Sequence, residues 1–184
     1  SKLDMPIYAA MRYVPPFAGD ALKQCKEDGI EELILFPMYP QYSTTTTLSS
    51  YEDIIGRCRA LEYHPKITMS TCQYFDDIDY IKANVAQIEK AIGDKESSEY
   101  DLLLSAHGLP MSIIKAGDPY QRQVESNVSA IKTLLEVKGI FFKDVKLVYQ
   151  SKVGSAAWLE PNLVDVLRNP VNRKVLIYPL AFTI

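Results

Sequence analysis

The sequence predicts an α/β fold of two similar lobes, each a parallel sheet flanked by helices. Three observations carry this expectation. Short apolar or β-branched runs alternate along the chain with stretches whose apolar residues recur every three or four positions. The resulting order of strand, helix, strand, helix is that of parallel strands joined by helical crossovers. A small, charged stretch, Asp94–Glu99, divides the series into a first lobe over residues 1–93 and a second over 100–184, with 94–99 as the linker.

The first lobe opens with Pro6–Tyr13, a tyrosine- and alanine-rich extended run taken as the first strand and closed by Pro15 and Pro16, which disfavour helix there. Asp20–Lys26 predicts a short helix with Ala21, Leu22 and Cys25 on one side and Gly29 just past its end. Glu32–Phe36 is the second strand, stopped by Pro37. Tyr39–Ser50 is too polar for a core strand and too β-branched for a good helix, so it reads as a loop. Glu52–Leu61 is amphipathic, and Lys66–Cys72 returns to strand. From Asp76 onward, Ile78, Ile81, Val85, Ile88 and Ile92 recur at helical spacing until Gly93.

The second lobe begins with Tyr100–Leu104, whose apolar run Leu102–Leu104 predicts a buried parallel strand. The chain then reaches His107, with Gly108 next and Pro110 shortly beyond. Asp118 and Pro119 read as the N-cap and first residue of a helix, with Gln121 placed as in a capping box. Val124, Val128, Ile131 and Leu135 form its apolar stripe, which runs to Gly139. Val145–Gln150 is a strand, Pro161–Leu167 a helix, and Lys174–Leu180 the last strand.

Composition narrows the function classes. A net charge of −3 without any basic run argues against nucleic-acid binding. Cys25, Cys58 and Cys72 are odd in number and lack metal-site spacing, which suggests reduced thiols and a cytoplasmic protein. No apolar run approaches the roughly 20 residues of a membrane span. The last strand has almost no chain after it, so a piece of a longer protein is expected.

Parallel strands bring their carboxyl ends to one edge, where ligands of open α/β sheets collect. The strand ends place there Arg12 and Tyr13; Tyr39, Gln41, Tyr42 and the hydroxyl run Ser43–Thr47; Gln73 and Tyr74; His107; Gln150, Ser151 and Lys152; and Phe182. Trp158 follows the fifth strand by a short loop. This aromatic set, with few donors and one titratable histidine, suits a large, flat, conjugated ligand with anionic edges. Glycine-rich phosphate cradles and a nucleophile elbow are missing, and the two histidines, His64 and His107, are too few and too far apart for a stable zinc site. Plain structural roles stand beside these readings. Arg12 could pair with a surface carboxylate, Trp158 could anchor the following helix, and His107 could merely end a strand.

Ser105-Ala106-His107-Gly108-Leu109-Pro110, followed by Gly117-Asp118-Pro119-Tyr120, resembles the signature of the ferrochelatases, which insert ferrous iron into a porphyrin. Further blocks resemble that family in the same order: Met11-Arg12-Tyr13, Tyr39-Pro40-Gln41-Tyr42-Ser43, Tyr149-Gln150-Ser151-Lys152-Val153-Gly154, Trp158-Leu159-Glu160-Pro161 and Pro179-Leu180-Ala181-Phe182. The resemblance covers nearly the whole chain. It implies two Rossmann-like, chelatase-like lobes with the porphyrin in the cleft between them.

By the same resemblance, His107 is the active-site histidine, either an iron ligand or the base that takes pyrrole protons. Arg12 and Tyr13 belong to the metal path, Tyr39 to the porphyrin site, Trp158 and Phe182 are cleft aromatics, and Gln150 and Ser151 flank them. Iron is then substrate, porphyrin and ferrous iron are the partners, and no tightly bound cofactor is implied. The cysteines do not match the cluster ligands of animal relatives, and Thr44 stands where one of them would be, so no iron–sulfur cluster is expected. Two departures bear on activity. The family's acidic segment, whose glutamate faces the histidine, falls beyond Ile184, and its amino-terminal strand falls before Ser1. A fold truncated at both ends, with little activity of this chain alone, is therefore expected. A smaller departure is Ser155, where many relatives carry proline. A chelatase for another metal or tetrapyrrole, or a non-catalytic tetrapyrrole-binding module, remains open on the residues.

Overall fold

The computed structural model of the chain describes residues 4–168 and 174–181. It forms two compact units, one of Ser1–Met38 with Ser43–Cys72, the other of Tyr39–Tyr42 with Gln73–Ile184.

In the first unit, helix α1 (Ala18–Glu27) leads to strand β1 (Glu32–Leu35), and helix α2 (Ser49–Ala60) to strand β2 (Lys66–Met69). The two strands pair in parallel, with Leu33 opposite Ile67. Leu22 and Cys25 of α1, Cys58 of α2, Leu33 of β1 and Tyr63 form one buried cluster. Burial pushes the Cys25 and Cys58 thiols up, which keeps them protonated and inert.

Two expectations for this unit are corrected. Pro6–Tyr13 is not a strand: only Met11 makes an isolated parallel bridge, with Phe17. Proline at position 6 lacks a donor, and the Met11 N–H bonds the nearby Pro16 carbonyl at 2.8 Å, so the run folds back locally instead of extending a ladder. The expected loop at Tyr39–Ser50 contains a turn of π-helix, Thr44–Leu48, which runs straight into α2. Its start is capped by Ser43, whose Oγ accepts the Thr45 N–H at 3.1 Å, while the Ser43 carbonyl accepts from Thr46 and Leu48. The satisfied cap outweighs the weak aversion of threonine to helix.

The second unit contains helix α3 (Ile78–Ile92), strand β3 (Asp101–His107), helices α4 (Met111–Lys115) and α5 (Tyr120–Val137), strand β4 (Asp144–Gln150), helix α6 (Leu163–Arg168) and strand β5 (Val175–Pro179). The sheet order is β4-β3-β5, all parallel. The central strand is buried along its length until His107, which is exposed. Leu102, Leu104 and Ala106 join Ile81, Val85 and Ile88 of α3 and Val124, Val128, Ile131 and Leu135 of α5 in the core. These are the apolar stripes read from helical spacing.

The division between units runs after Cys72, so the boundaries at 93 and 99 do not describe it. Helix α3 packs on α5 and β5 in the second unit, because its Ile and Val stripe matches theirs. Asp94–Glu99 is a surface connection from α3 to β3 within that unit, with a short 3-10 turn at Ser97–Glu99. Charge there marks solvent exposure, not a boundary. The N-cap position of α5 falls on Pro119, one residue later than expected, although the Asp118 carboxylate still accepts the Tyr120 N–H at 3.0 Å. The reciprocal box does not form: Gln121 bonds Glu125 at 2.9 Å, one turn along the helix. Helix α4, which starts after Pro110, falls in a stretch for which the sequence pattern predicts no element. Among the described residues no helix is long and apolar enough to cross a membrane.

Candidate functional site

The carboxyl edge of the three-stranded sheet is built around one close approach of backbone. His107 ends β3 directly opposite Gln150, which ends β4. The next residue, Gly108, donates its N–H to the Gln150 carbonyl at 2.8 Å. A Cβ on Gly108 would lie 2.9 Å from that same oxygen, 3.4 Å from Cε3 of Trp158 and 3.6 Å from Cβ of Tyr149. Only glycine fits, and this explains the His107-Gly108 pair physically. Past Gln150 the chain turns sharply, with Ser151 in the left-handed region at φ 70°, and past β5 Ala181 does the same at φ 67°. Non-glycine residues in that region cost of order 1–3 kcal/mol, so both turns are held by their surroundings.

Trp158 is drawn to the same edge by pairing with the segment that follows His107. Pro110 and Trp158 form an antiparallel bridge, the Leu159 N–H bonds Leu109 O at 2.9 Å, and the Met111 N–H bonds Ala157 O at 2.9 Å. The structure thus brings His107, Gln150, Ser151 and Trp158 together. Tyr149 Oη and Trp158 Nε1 are buried there without a hydrogen-bond partner among the described residues. Tyr120, at the start of α5, donates its hydroxyl to the His107 carbonyl at 2.9 Å and fixes the strand end from behind. Burial pushes the Tyr120 and Tyr149 phenols well above their usual range, so both stay protonated.

Although His107 is exposed, partial enclosure by its neighbours removes some of the water around the imidazole and holds it below its ordinary pKa of 6.5. It is therefore mostly neutral near pH 7, free to accept a proton or to bind a metal ion through one nitrogen. A proton titration followed by NMR is expected to give His107 a midpoint below 6.5. As pH falls, the unfolded chain takes up this proton first, so folding stability declines below about pH 6.5 and levels off once the folded imidazole also charges. A midpoint at or above the ordinary value would contradict the enclosure.

Tyr39 belongs to the second unit, in a segment tied down by the Tyr42 N–H, which bonds Gln123 Oε1 at 2.7 Å. Arg12 and Tyr13 belong to the first unit. Arg12 Nε donates to Ser49 Oγ at 3.1 Å, and its guanidinium lies 3.8 Å from the Asp53 carboxylate and 5.3 Å from the Tyr13 ring centroid. The carboxylate pairing considered for Arg12 is thus present. Tyr13 donates its hydroxyl to Thr45 O at 3.4 Å. Phe182 lies outside the described residues. Among the described residues no group of three or more histidine, cysteine, aspartate or glutamate side chains could hold a metal ion.

Sequence reasoning missed Gln123 and Asn127, two polar residues buried within the apolar side of α5. Their signal was present, since polar side chains at core positions of an amphipathic helix require partners. It missed Ser49 and Asp53 as well, and nothing local marks them, because their partner Arg12 lies far away along the chain, 37 positions before Ser49.

A family model described as Ferrochelatase matches residues 1–184. The Ferrochelatase of Wolinella succinogenes is 48% identical over 175 residues, covering 95% of this chain and 55% of that protein. That of Sulfurimonas denitrificans is 43% identical over 175 residues, with the same coverage of 95% and 55%. The Ferrochelatase of Helicobacter pylori is 44% identical over 177 residues, covering 95% of this chain and 52% of that protein. The chain spans about half the length of these curated relatives. With the ordered blocks, the parallel sheets and a match along all 184 residues in agreement, the chain belongs to the ferrochelatase family.

Proposed function

We propose that the chain supplies the histidine edge of a lyase that inserts ferrous iron into protoporphyrin IX, or a related porphyrin, to form haem in the cytoplasm. The observation that carries this reading is the placement of His107 at the exposed end of the central strand, opposite Gln150 and with the Trp158 indole against the adjoining residue. Metal insertion requires two pyrrole N–H protons to leave. A group that accepts a proton near neutral pH therefore has to stand beside the macrocycle.

In this reading the Gly108–Gln150 contact and the Tyr120 hydrogen bond hold the His107 backbone while its imidazole stays accessible. His107 takes one of the two pyrrole protons, with water taking the other, or it meets the incoming iron while water takes both; one nitrogen cannot do both at once. Arg12, Tyr13, Tyr39, Gln150, Ser151, Trp158 and Phe182 are the proposed porphyrin contacts. Iron is substrate here, with neither a resident cofactor nor an iron–sulfur cluster in the scheme. A single histidine binds the metal weakly enough to release it to the porphyrin, which a closed cage of ligands would not.

The test is a Soret-band titration of the chain with free-base protoporphyrin, without and with ferrous iron under anaerobic conditions. A saturable shift without iron is expected. Iron insertion, read as loss of the free-base visible bands, is measured in a protein of the relatives' length that contains this chain. An unshifted Soret band would sink porphyrin binding. A shift with insertion of cobalt but not iron would reassign the metal, and a shift with no insertion of any metal would leave a tetrapyrrole-binding module.

A further inference from the structure

Tyr120, Gln123 and Asn127 stand three and four positions apart on α5, which places them on one side of the helix. All three are buried, at 7%, 8% and 0% exposure, although the helix has ample solvent-facing surface for polar groups. Each spends its hydrogen bond on a different piece of backbone or loop. Tyr120 Oη donates to the carbonyl of His107 at 2.9 Å. Gln123 Oε1 accepts the Tyr42 N–H at 2.7 Å, and its amide nitrogen donates to Gln73 Oε1. Asn127 Nδ2 donates to the Phe75 carbonyl at 2.6 Å. The two outlying segments are also joined to each other, through the Tyr74 N–H and the Pro40 carbonyl at 2.8 Å.

A helix is stiff over this length, with a rise of about 1.5 Å per residue, so groups bonded along it are held at set separations. Apolar residues at these three positions would pack the same core without specifying where the segments lie. Burying three polar side chains is favourable only if each keeps its partner.

We propose that Gln123, supported by Asn127, is a positioning residue: it fixes the 39–42 and 73–75 segments to the same helix that fixes the His107 strand end, and so sets where Tyr39 meets the porphyrin. The proposal rests on the reading that Tyr39 contacts the porphyrin. Gln123 itself touches no substrate; its influence passes through the Tyr42 backbone.

Two measurements on the intact chain test this. In Gln123→Leu, amide exchange at Tyr42 is expected to rise at least about tenfold while exchange at Leu104 is unchanged, since only the local tether is lost. Unchanged exchange at Tyr42 would overturn the tether directly. The second measurement is a double-mutant cycle on protoporphyrin affinity. Tyr39→Ala is expected to weaken binding about tenfold in the wild-type background and about twofold or less in the Gln123→Leu background, the signature of coupled residues. Gln123→Glu, which keeps an acceptor for Tyr42 and allows the Gln73 amide to turn and donate, is expected to restore affinity to within about twofold of wild type. Fully additive effects, or no rescue by glutamate, would make Gln123 a packing residue and overturn the proposal. Failure of the wild-type chain to bind porphyrin would instead sink the proposed function, and with it the role assigned to Gln123, while the exchange data would still judge the tether.

Discussion

His107→Ala is expected to lower iron insertion by about 10²–10⁴-fold while leaving porphyrin affinity within a few-fold of wild type, the loss typical when a positioned acid–base group is removed. The imidazole projects from the exposed end of an otherwise buried strand, so its removal leaves no cavity in the core. Stability should therefore change by no more than about 0.5 kcal/mol, and the activity loss cannot be read as unfolding. The only other histidine, His64, lies in the first unit, next to Pro65 and before β2. Turnover with protoporphyrin and ferrous iron, measured in a protein of the relatives' length that contains this chain, is the check. Near-normal turnover in the alanine variant would end the role proposed for His107.

Gly108→Ala is expected to be damaging for a different reason. The added methyl would meet the Gln150 carbonyl oxygen at 2.9 Å. That oxygen cannot swing aside, because it belongs to backbone at the end of β4 and already accepts the Gly108 N–H at 2.8 Å. The Trp158 ring at 3.4 Å closes a second side. Relief comes only by parting the ends of β3 and β4, the pair that carries His107 and Gln150. Overpacking of this kind costs about 1–3 kcal/mol, and a chain of this size would show it as a fall in Tm of about 2–4 °C per kcal/mol. Urea or thermal melts read the stability, and the Soret titration reads the site. Both are expected to worsen together, since one displaced contact underlies both. An unchanged melt with intact porphyrin binding would mean that the strand ends yield without cost.

How much of this was legible in the sequence depends on the range over which each feature is specified. The stripe of Val124, Val128, Ile131 and Leu135 and the apolar run Leu102–Leu104 ahead of His107 are local patterns, and the structure buries them as the pattern predicts. The parallel order followed from the alternation of elements. Pro6–Tyr13 misled because a β-like composition says nothing about whether a partner strand lies alongside. Thr44–Leu48 departs from the loop its composition predicts because the Ser43 cap, not residue preference, sets its conformation. Asp94–Glu99 misled because charge and small size describe a surface loop within a unit as well as a linker between units.

The sequence by itself determined the α/β class, the helix and strand stripes, the family, and the position of His107 at a strand end beside a glycine. These are written in spacings of a few residues and in motifs read along the chain. Only the tertiary structure decided that α3 joins the second unit, that Arg12 is held by Ser49 and Asp53, and that Gln123 tethers Tyr42 across 81 positions. Such contacts depend on which surfaces meet once the helices pack on the sheet, and no local pattern encodes that. His107 was therefore visible as a residue, while the helix that holds its strand end and the 39–42 segment to one frame became visible only in the fold.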